Sequence, residues 1–257
     1  MKDILSFAGK VVIITGASRG LGLAYASAFA EAQAELVLTS RHAQVLEEAA
    51  AGLRKFGRSI LCLESDMTDE LSVKEMVERT CETFGRIDVL INNAATERMN
   101  IPPEDTDIEG WRAVLETNLD GPFLCCREVG KVMIRQRRGK IINVASISGL
   151  IINKYFHGGS YDVSKSAVCA LTKALAVEWA PYGITVNALA PGYYDTAPNR
   201  RWFDANPAIH EKVIDMIPLR RLGNIEELSE FMLCLASEAT NYMTGSMCVI
   251  DGGYTIW

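Results

Sequence analysis

The chain predicts an α/β fold built on a parallel sheet, and three observations carry that prediction. First, a β-branched run, Lys10-Val-Val-Ile-Ile-Thr15, feeds directly into a glycine cluster and then into a segment of helical periodicity, LGLAYASAFAEAQA. Second, another short apolar run, Glu35-Leu-Val-Leu-Thr39, follows at the distance a strand–helix–strand unit requires. Third, continuous apolar runs of this kind recur between helical stretches to the C-terminus. Strands buried on both faces of a parallel sheet read in that way, as unbroken hydrophobic runs.

Composition limits the rest. The 257 residues are 49% hydrophobic, with no Pro/Ser-rich linker or charge run, so one domain spanning 1–257 is expected. The net charge is −6 and the basic residues are scattered, which disfavours nucleic acid and points to a small-molecule partner. Seven cysteines form no CxxC pair, and His42, His157 and His210 have no metal-ligand spacing, so no metal is expected and reduced thiols in a cytoplasm fit best. The N-terminal MKDILSFAGK lacks the apolar segment of a signal peptide, and no run long enough for a membrane span occurs.

Taken in order, the first strand ends in Thr15-Gly16-Ala-Ser18-Arg19-Gly20-Leu21-Gly22. Glycines at G-x-x-x-G-x-G permit a tight turn and let a pyrophosphate approach the backbone amides at a helix N-terminus. The second strand ends in Ser40-Arg41, without the Asp or Glu that would bind a ribose and repel a 2′-phosphate. Arg41, with Arg19 in the loop, can pair with that phosphate, so NADP(H) is favoured over NAD(H).

A helix from Gln44 to Lys55 leads to a third strand, Ser59 to Ser65, ending at Asp66-Met67. Asp66 is placed either to touch an adenine edge or to cap the helix that begins near Glu70. The fourth strand, Asp88 to Asn92, ends in Asn92-Asn93-Ala94-Ala95, where small residues admit a flat ligand and the amides tie strands together; a plain strand-to-loop turn is the alternative. Ile108 to Arg137 reads as one helix with a kink expected at Asn118-Leu-Asp-Gly-Pro122. A fifth strand, Gly139 to Ser146, delivers Ser146 at its carboxyl end.

Tyr161-Asp-Val-Ser-Lys165 then opens an apolar helix. Residues four apart share a helix face, so the phenol and the ammonium can enter one site together, where a nearby cation favours the phenolate. A helix start with a surface lysine is the plainer reading of those five residues alone. The sixth strand, Ile184 to Ala190, runs into Pro191-Gly192, with Thr196 beyond it, and the last is Ser246 to Asp251.

Six features in register, TGASRGLG, NNAA, Asn118, the strand-end Ser146, YDVSK and the later Pro-Gly, resemble the short-chain dehydrogenase/reductase family over essentially the whole chain. The resemblance implies a doubly wound Rossmann-type domain, a seven-stranded parallel sheet flanked by helices, usually assembled as a homotetramer. It implies Tyr161 as the acid/base and Lys165 as the group that lowers its pKa and binds the nicotinamide ribose. Ser146 would hydrogen-bond the substrate oxygen, Asn118 would hold a relay water, and Thr196 would contact the carboxamide. The family's usual spacing to the tyrosine would select Ser148, but the strand-end position and the following x-x-Gly favour Ser146. Ala95 stands where the family often has Gly. Residues at about 193–221, rich in Arg and aromatics, correspond to the substrate-covering lid. Arg200, Arg201, Arg220 and Arg221 there can meet a substrate anion, solvent or another subunit. The lid and the GGYTIW tail look similar to members acting on sugar acids and polyols, such as gluconate 5-dehydrogenase. The implied activity is NADP(H)-dependent interconversion of a secondary alcohol and a ketone. The alternatives are 3-oxoacyl carrier-protein reduction and, from another class, a non-catalytic NADP(H)-binding regulator.

Overall fold

Seven short strands, β1 (Val11–Ile14), β2 (Glu35–Ser40), β3 (Ile60–Glu64), β4 (Val89–Asn92), β5 (Gly139–Val144), β6 (Ile184–Pro191) and β7 (Met247–Ile250), form one wholly parallel sheet in the order β3-β2-β1-β4-β5-β6-β7. The computed structural model describes residues 4–257; the first three residues of the N-terminal decapeptide read above lie outside the described residues. This is the doubly wound Rossmann-type class expected from the sequence.

Alternate residues of each strand face opposite layers. Val12, Ile14, Leu36 and Leu38 pack with Tyr25 and Phe29 of α1 (Gly20–Glu31) and with Leu228 and Met232 of α9 (Ile225–Ala236). Val11, Ile13, Val37 and Leu90 pack with Val73 and Met76 of α3 (Glu70–Phe84) and with Val129 and Met133 of α5 (Gly121–Gln136). Both faces are covered, which is why the strands carry unbroken apolar runs. The chain leaves β1 toward β2 and β3, then crosses back to place β4 on the other side of β1. The loops after β1 and β4 therefore diverge, and they open a crevice at the carboxyl ends of the strands.

One helix reading needs correction and a second gains detail. Gln44 to Lys55 is not continuous: α2 (Ala43–Ala51) stops before Gly52, and a 3-10 turn, Arg54–Phe56, ends at Gly57 in the left-handed region. The helix read over Ile108 to Arg137 runs as α4 (Ile108–Leu115), a π turn (Glu116–Asp120) and α5, with its irregular turn where the kink was expected. Pro122 sits in the first turn of α5, where its missing N–H costs least, and the π turn absorbs the change of register that the kink was expected to produce. Beyond β6, α7 (Ala197–Ala205) and α8 (Pro207–Met216) bury Phe203 and Val213 against Ile147, Ile217 and Tyr254, a cluster apart from the two main layers.

Candidate active site

The glycine-rich turn is held from below by the loop after β4. Asn93 Nδ2 donates to the Thr15 and Gly16 carbonyls (3.0 and 3.1 Å), and the Asn93 and Ala94 amides both donate to Thr15 Oγ1 (3.0 Å each). Gly16 has φ +66°, and a Cβ there would lie 2.8 Å from Ala94 Cα; a Cβ at Gly22 would run into the Gly16 carbonyl oxygen. Gly20 is exposed with open space around it. Arg19 caps α1 in extended backbone without a side-chain hydrogen bond, and the first turn of α1 holds no acid. Positive helix end, uncapped amides and room beside Gly20 together suit a pyrophosphate. Ser18 and Leu21 are half-buried in the same turn, and Ala95 is exposed at its edge.

Arg41 is exposed at the end of β2, while the Ser40 hydroxyl turns into its own loop, accepting from the His42 amide at 3.1 Å. Asp66 faces Arg41; burial pushes its carboxyl up, but bonds from the Thr68 amide and hydroxyl, with Arg41 nearby, bring it below the usual range. Asp66 does not cap α3. Asp69 does, accepting from the Leu71 amide at 3.0 Å, because only Asp69 occupies the N-cap position. The Met67 side chain is turned into the core, where its sulfur accepts from Cys125 Sγ. At the other end of the crevice Pro191 closes β6, the Gly192 amide donates to the Ile250 carbonyl (2.9 Å), and Thr196 caps α7 by accepting from the Asn199 amide.

Tyr161 and Lys165 lie on α6 (Gly159–Trp179). The Lys165 ammonium stands 5.7 Å from the Tyr161 ring centroid and donates to the Val144 carbonyl at 2.8 Å. Gly149 lets β5 and α6 meet, since a Cβ there would lie 2.6 Å from the Lys165 carbonyl oxygen. Ser146 caps the short turn Ile147–Gly149 through the Ser148 amide (3.1 Å), and its hydroxyl is the neighbour that draws the Tyr161 phenol down. Ser148 faces elsewhere: its Oγ accepts from Arg98 Nη2 (2.6 Å) and Asn153 Nδ2 (2.8 Å). Asn118, within the π turn, accepts at Oδ1 from the Thr96 amide (2.7 Å) and hydroxyl (3.2 Å), and donates from Nδ2 to Ser164 Oγ (3.2 Å).

Burial raises the Tyr161 phenol above its ordinary value; the Ser146 bond and Arg98 pull it back, while Asp162 and Glu97 add to the rise. Lys165 is not among the groups that pull it down, a departure from the sequence expectation. Burial pushes Lys165 itself down to about 8.

Arg98, Thr96 and Asp162 escaped the sequence reading. Arg98 lies six residues beyond β4, its guanidinium 5.2 Å from the Tyr161 ring centroid and 5.1 Å from that of Phe156. Its position after a strand's carboxyl end was the available signal. Three of the four lid arginines pair locally, Arg200 with Asp195, Arg220 with Asp215 and Arg221 with Glu227, while Arg201 is exposed and makes none of these ion pairs. Among the described residues no group of three or more His, Cys, Asp or Glu is placed to hold a metal ion, and no helix is long and apolar enough to cross a membrane.

A phosphate cradle together with a half-buried Tyr and Ser and a buried Lys is the arrangement of an oxidoreductase that works with a bound dinucleotide. Residues 16–255 match a family described as enoyl-(acyl carrier protein) reductase. The chain is 37% identical over 257 residues to galactitol 2-dehydrogenase (L-tagatose-forming) of Cereibacter sphaeroides, covering 100% of this chain and 99% of that one. A gluconate 5-dehydrogenase of Burkholderia cenocepacia J2315, solved with NADP and tartrate, superposes with TM-score 0.93 at 32% identity over 99% of this chain and 98% of its own. An NAD+-bound xylitol dehydrogenase does so with TM-score 0.92 at 32% identity, covering 96% of this chain and 99% of its own. The chain belongs to the short-chain dehydrogenase/reductase family, and it is an oxidoreductase acting on CH–OH groups with a nicotinamide cofactor.

Proposed function

We propose that the chain interconverts a secondary alcohol and a ketone on a polyhydroxylated substrate, a polyol or sugar acid, with Tyr161 as the acid/base and NADP(H) preferred over NAD(H). The observation that carries this is the Tyr161 phenol, eased toward its phenolate by the neighbouring Ser146 hydroxyl and backed by the desolvated ammonium of Lys165 one helical turn on. In reduction the phenol gives its proton to the carbonyl oxygen while the Ser146 hydroxyl bonds the same oxygen; in oxidation the phenolate takes the proton back. The bound nicotinamide supplies or accepts the hydride. Lys165 holds the ribose hydroxyls and stabilises the phenolate once its ammonium turns from Val144. With its side chain committed to Thr96 and Ser164, Asn118 holds a relay water through its backbone carbonyl. The glycine turn, Arg19, Ser18, Leu21, Asn93, Ala94 and Ala95 hold the dinucleotide backbone; Asp66 and the backbone of Met67, whose side chain is in the core, flank the adenine, and Pro191, Gly192 and Thr196 flank the nicotinamide.

Tyr161→Phe is expected to lower kcat at least ~1000-fold while the NADPH dissociation constant stays within about threefold, because the hydroxyl serves only the proton. Loss of binding instead would remove that assignment. Arg41, exposed where an acid would select NAD(H), supports the cofactor preference. Arg41→Asp should weaken NADPH by about tenfold or more and spare NADH; an unchanged ratio would show that Arg41 is not the selector. Carrier-protein reduction needs a basic rim, and three lid arginines are already paired. Turnover of acetoacetyl thioesters above that of polyols would favour it. Tight NADPH binding without turnover on any ketone would favour a regulator. The wider reading is a single-domain, cytoplasmic homotetramer with a lid at about 193–221; its seven free cysteines accord with a reducing compartment.

A further inference from the structure

A guanidinium beside the acid/base would ordinarily anchor a substrate carboxylate. Arg98 is placed for that role, with 15% of its side chain exposed at the site, but its charge is already met. Nη2 donates to Asp162 Oδ1 at 2.7 Å, and Asp162, the residue next to Tyr161, keeps only 5% exposure. The pairing is built into the backbone: the Asp162 carboxylate lies so tightly against Gly158 that any Cβ there would collide with it. Among the charges that act on the phenol, Arg98 stands against two acids, Asp162 and Glu97. Around the pair runs a wall of neutral donors and acceptors, with Asn153 Nδ2 donating to Ser148 Oγ (2.8 Å) and the Tyr193 hydroxyl donating to Asn153 Oδ1 (3.1 Å). The lid offers no compensating cation from Arg200, Arg220 or Arg221, all paired with acids.

Resting on the alcohol–ketone reading above, we propose that Asp162 neutralises Arg98 and so sets the site for neutral polyols and their ketoses in preference to sugar acids. A hydroxyl can donate and accept along this wall, whereas a carboxylate only accepts and would meet the Asp162 and Glu97 charges with the Arg98 guanidinium already paired.

The test compares kcat/KM, at saturating dinucleotide, for neutral polyols (galactitol, sorbitol, xylitol) and for aldonates (gluconate, galactonate). The best polyol is expected to exceed the best aldonate at least tenfold in the wild type. Asp162→Asn, which keeps the shape and frees the guanidinium, should shrink that ratio at least tenfold, chiefly through a lower KM for the aldonate; the double variant Arg98→Met/Asp162→Asn should lose the gain. A wild-type ratio at or below one overturns the proposal and leaves the alcohol–ketone reading standing. A ratio that Asp162→Asn does not move overturns it as well. No turnover on either class or on a simple diketone removes the alcohol–ketone reading and this inference with it. Should Asp162→Asn fail to fold, the wild-type ratio alone decides.

Discussion

Lys165 is a cation held almost without water, 4% exposed, with its ammonium on the Val144 carbonyl. Burial penalises the charged form, so its pKa falls from 10.5 to about 8. The folded chain then holds fewer protons on this group than the unfolded chain between those two values. The stability cost of burying the ammonium is therefore full below pH 8, and it is relieved as pH rises toward 10.5. Lys165→Met removes the dependence. The stability of the wild type relative to K165M should climb by on the order of 2 kcal/mol between pH 7 and 10, read from urea midpoints of the cofactor-free protein. A difference flat with pH would show that the ammonium is solvated.

At the level of elements, the contact of the β5 turn with α6 decides whether Ser146 and Tyr161 face each other. Gly149 permits it, since the nearest neighbours of an added Cβ are backbone atoms of Lys165, at 2.6 and 2.8 Å, which cannot rotate aside. Gly149→Ala is expected to cost about 1–3 kcal/mol in stability. Because misplacement by about an ångström is felt in the chemistry, kcat should fall roughly tenfold to a hundredfold. Dinucleotide affinity, proposed above to rest on Gly16 to Gly22, should change less than either. Full activity in Gly149→Ala would show that the turn yields without moving Tyr161. The same contact explains why the Ser146-x-x-Gly149 spacing was readable: it records a steric need within four residues. The strands were legible for a similar reason, since their β-branched runs end in charged or small residues; the fifth, read as Gly139 to Ser146, ends at Val144. The irregular turn of the long helix was legible as a kink at Gly121 and Pro122, but not as a π turn, because 3.6-residue periodicity persists across it. Arg98 was invisible because its partners Ser148 and Asp162 lie 50 and 64 residues away, joined only by the fold.

Across the whole molecule, the C-terminal tail fastens α7 and α8. Tyr254 is 1% exposed, packed with Phe203, Val213 and Ile217, its ring 5.2 Å from that of Tyr193. The Leu219 amide donates to the Gly252 carbonyl (3.2 Å), and Trp257 Nε1 donates to the Met216 carbonyl (3.1 Å). This cluster is separate from the layers on either face of the sheet, so its loss need not unfold them. Truncating a buried aromatic typically costs about 3–5 kcal/mol, more than an isolated helical pair can absorb. Tyr254→Ala should therefore open α7 and α8 locally while the sheet stays folded. Limited proteolysis is expected to cut within residues 197–216 at least ~10-fold faster than in the wild type. The KM for substrate should rise more than the dinucleotide dissociation constant, because the glycine turn and α1 lie in the other layer of contacts and only Thr196, the cap of α7, is disturbed. First cleavage outside 197–216, or a single cooperative loss of the whole fold, would place the tail in the main core instead.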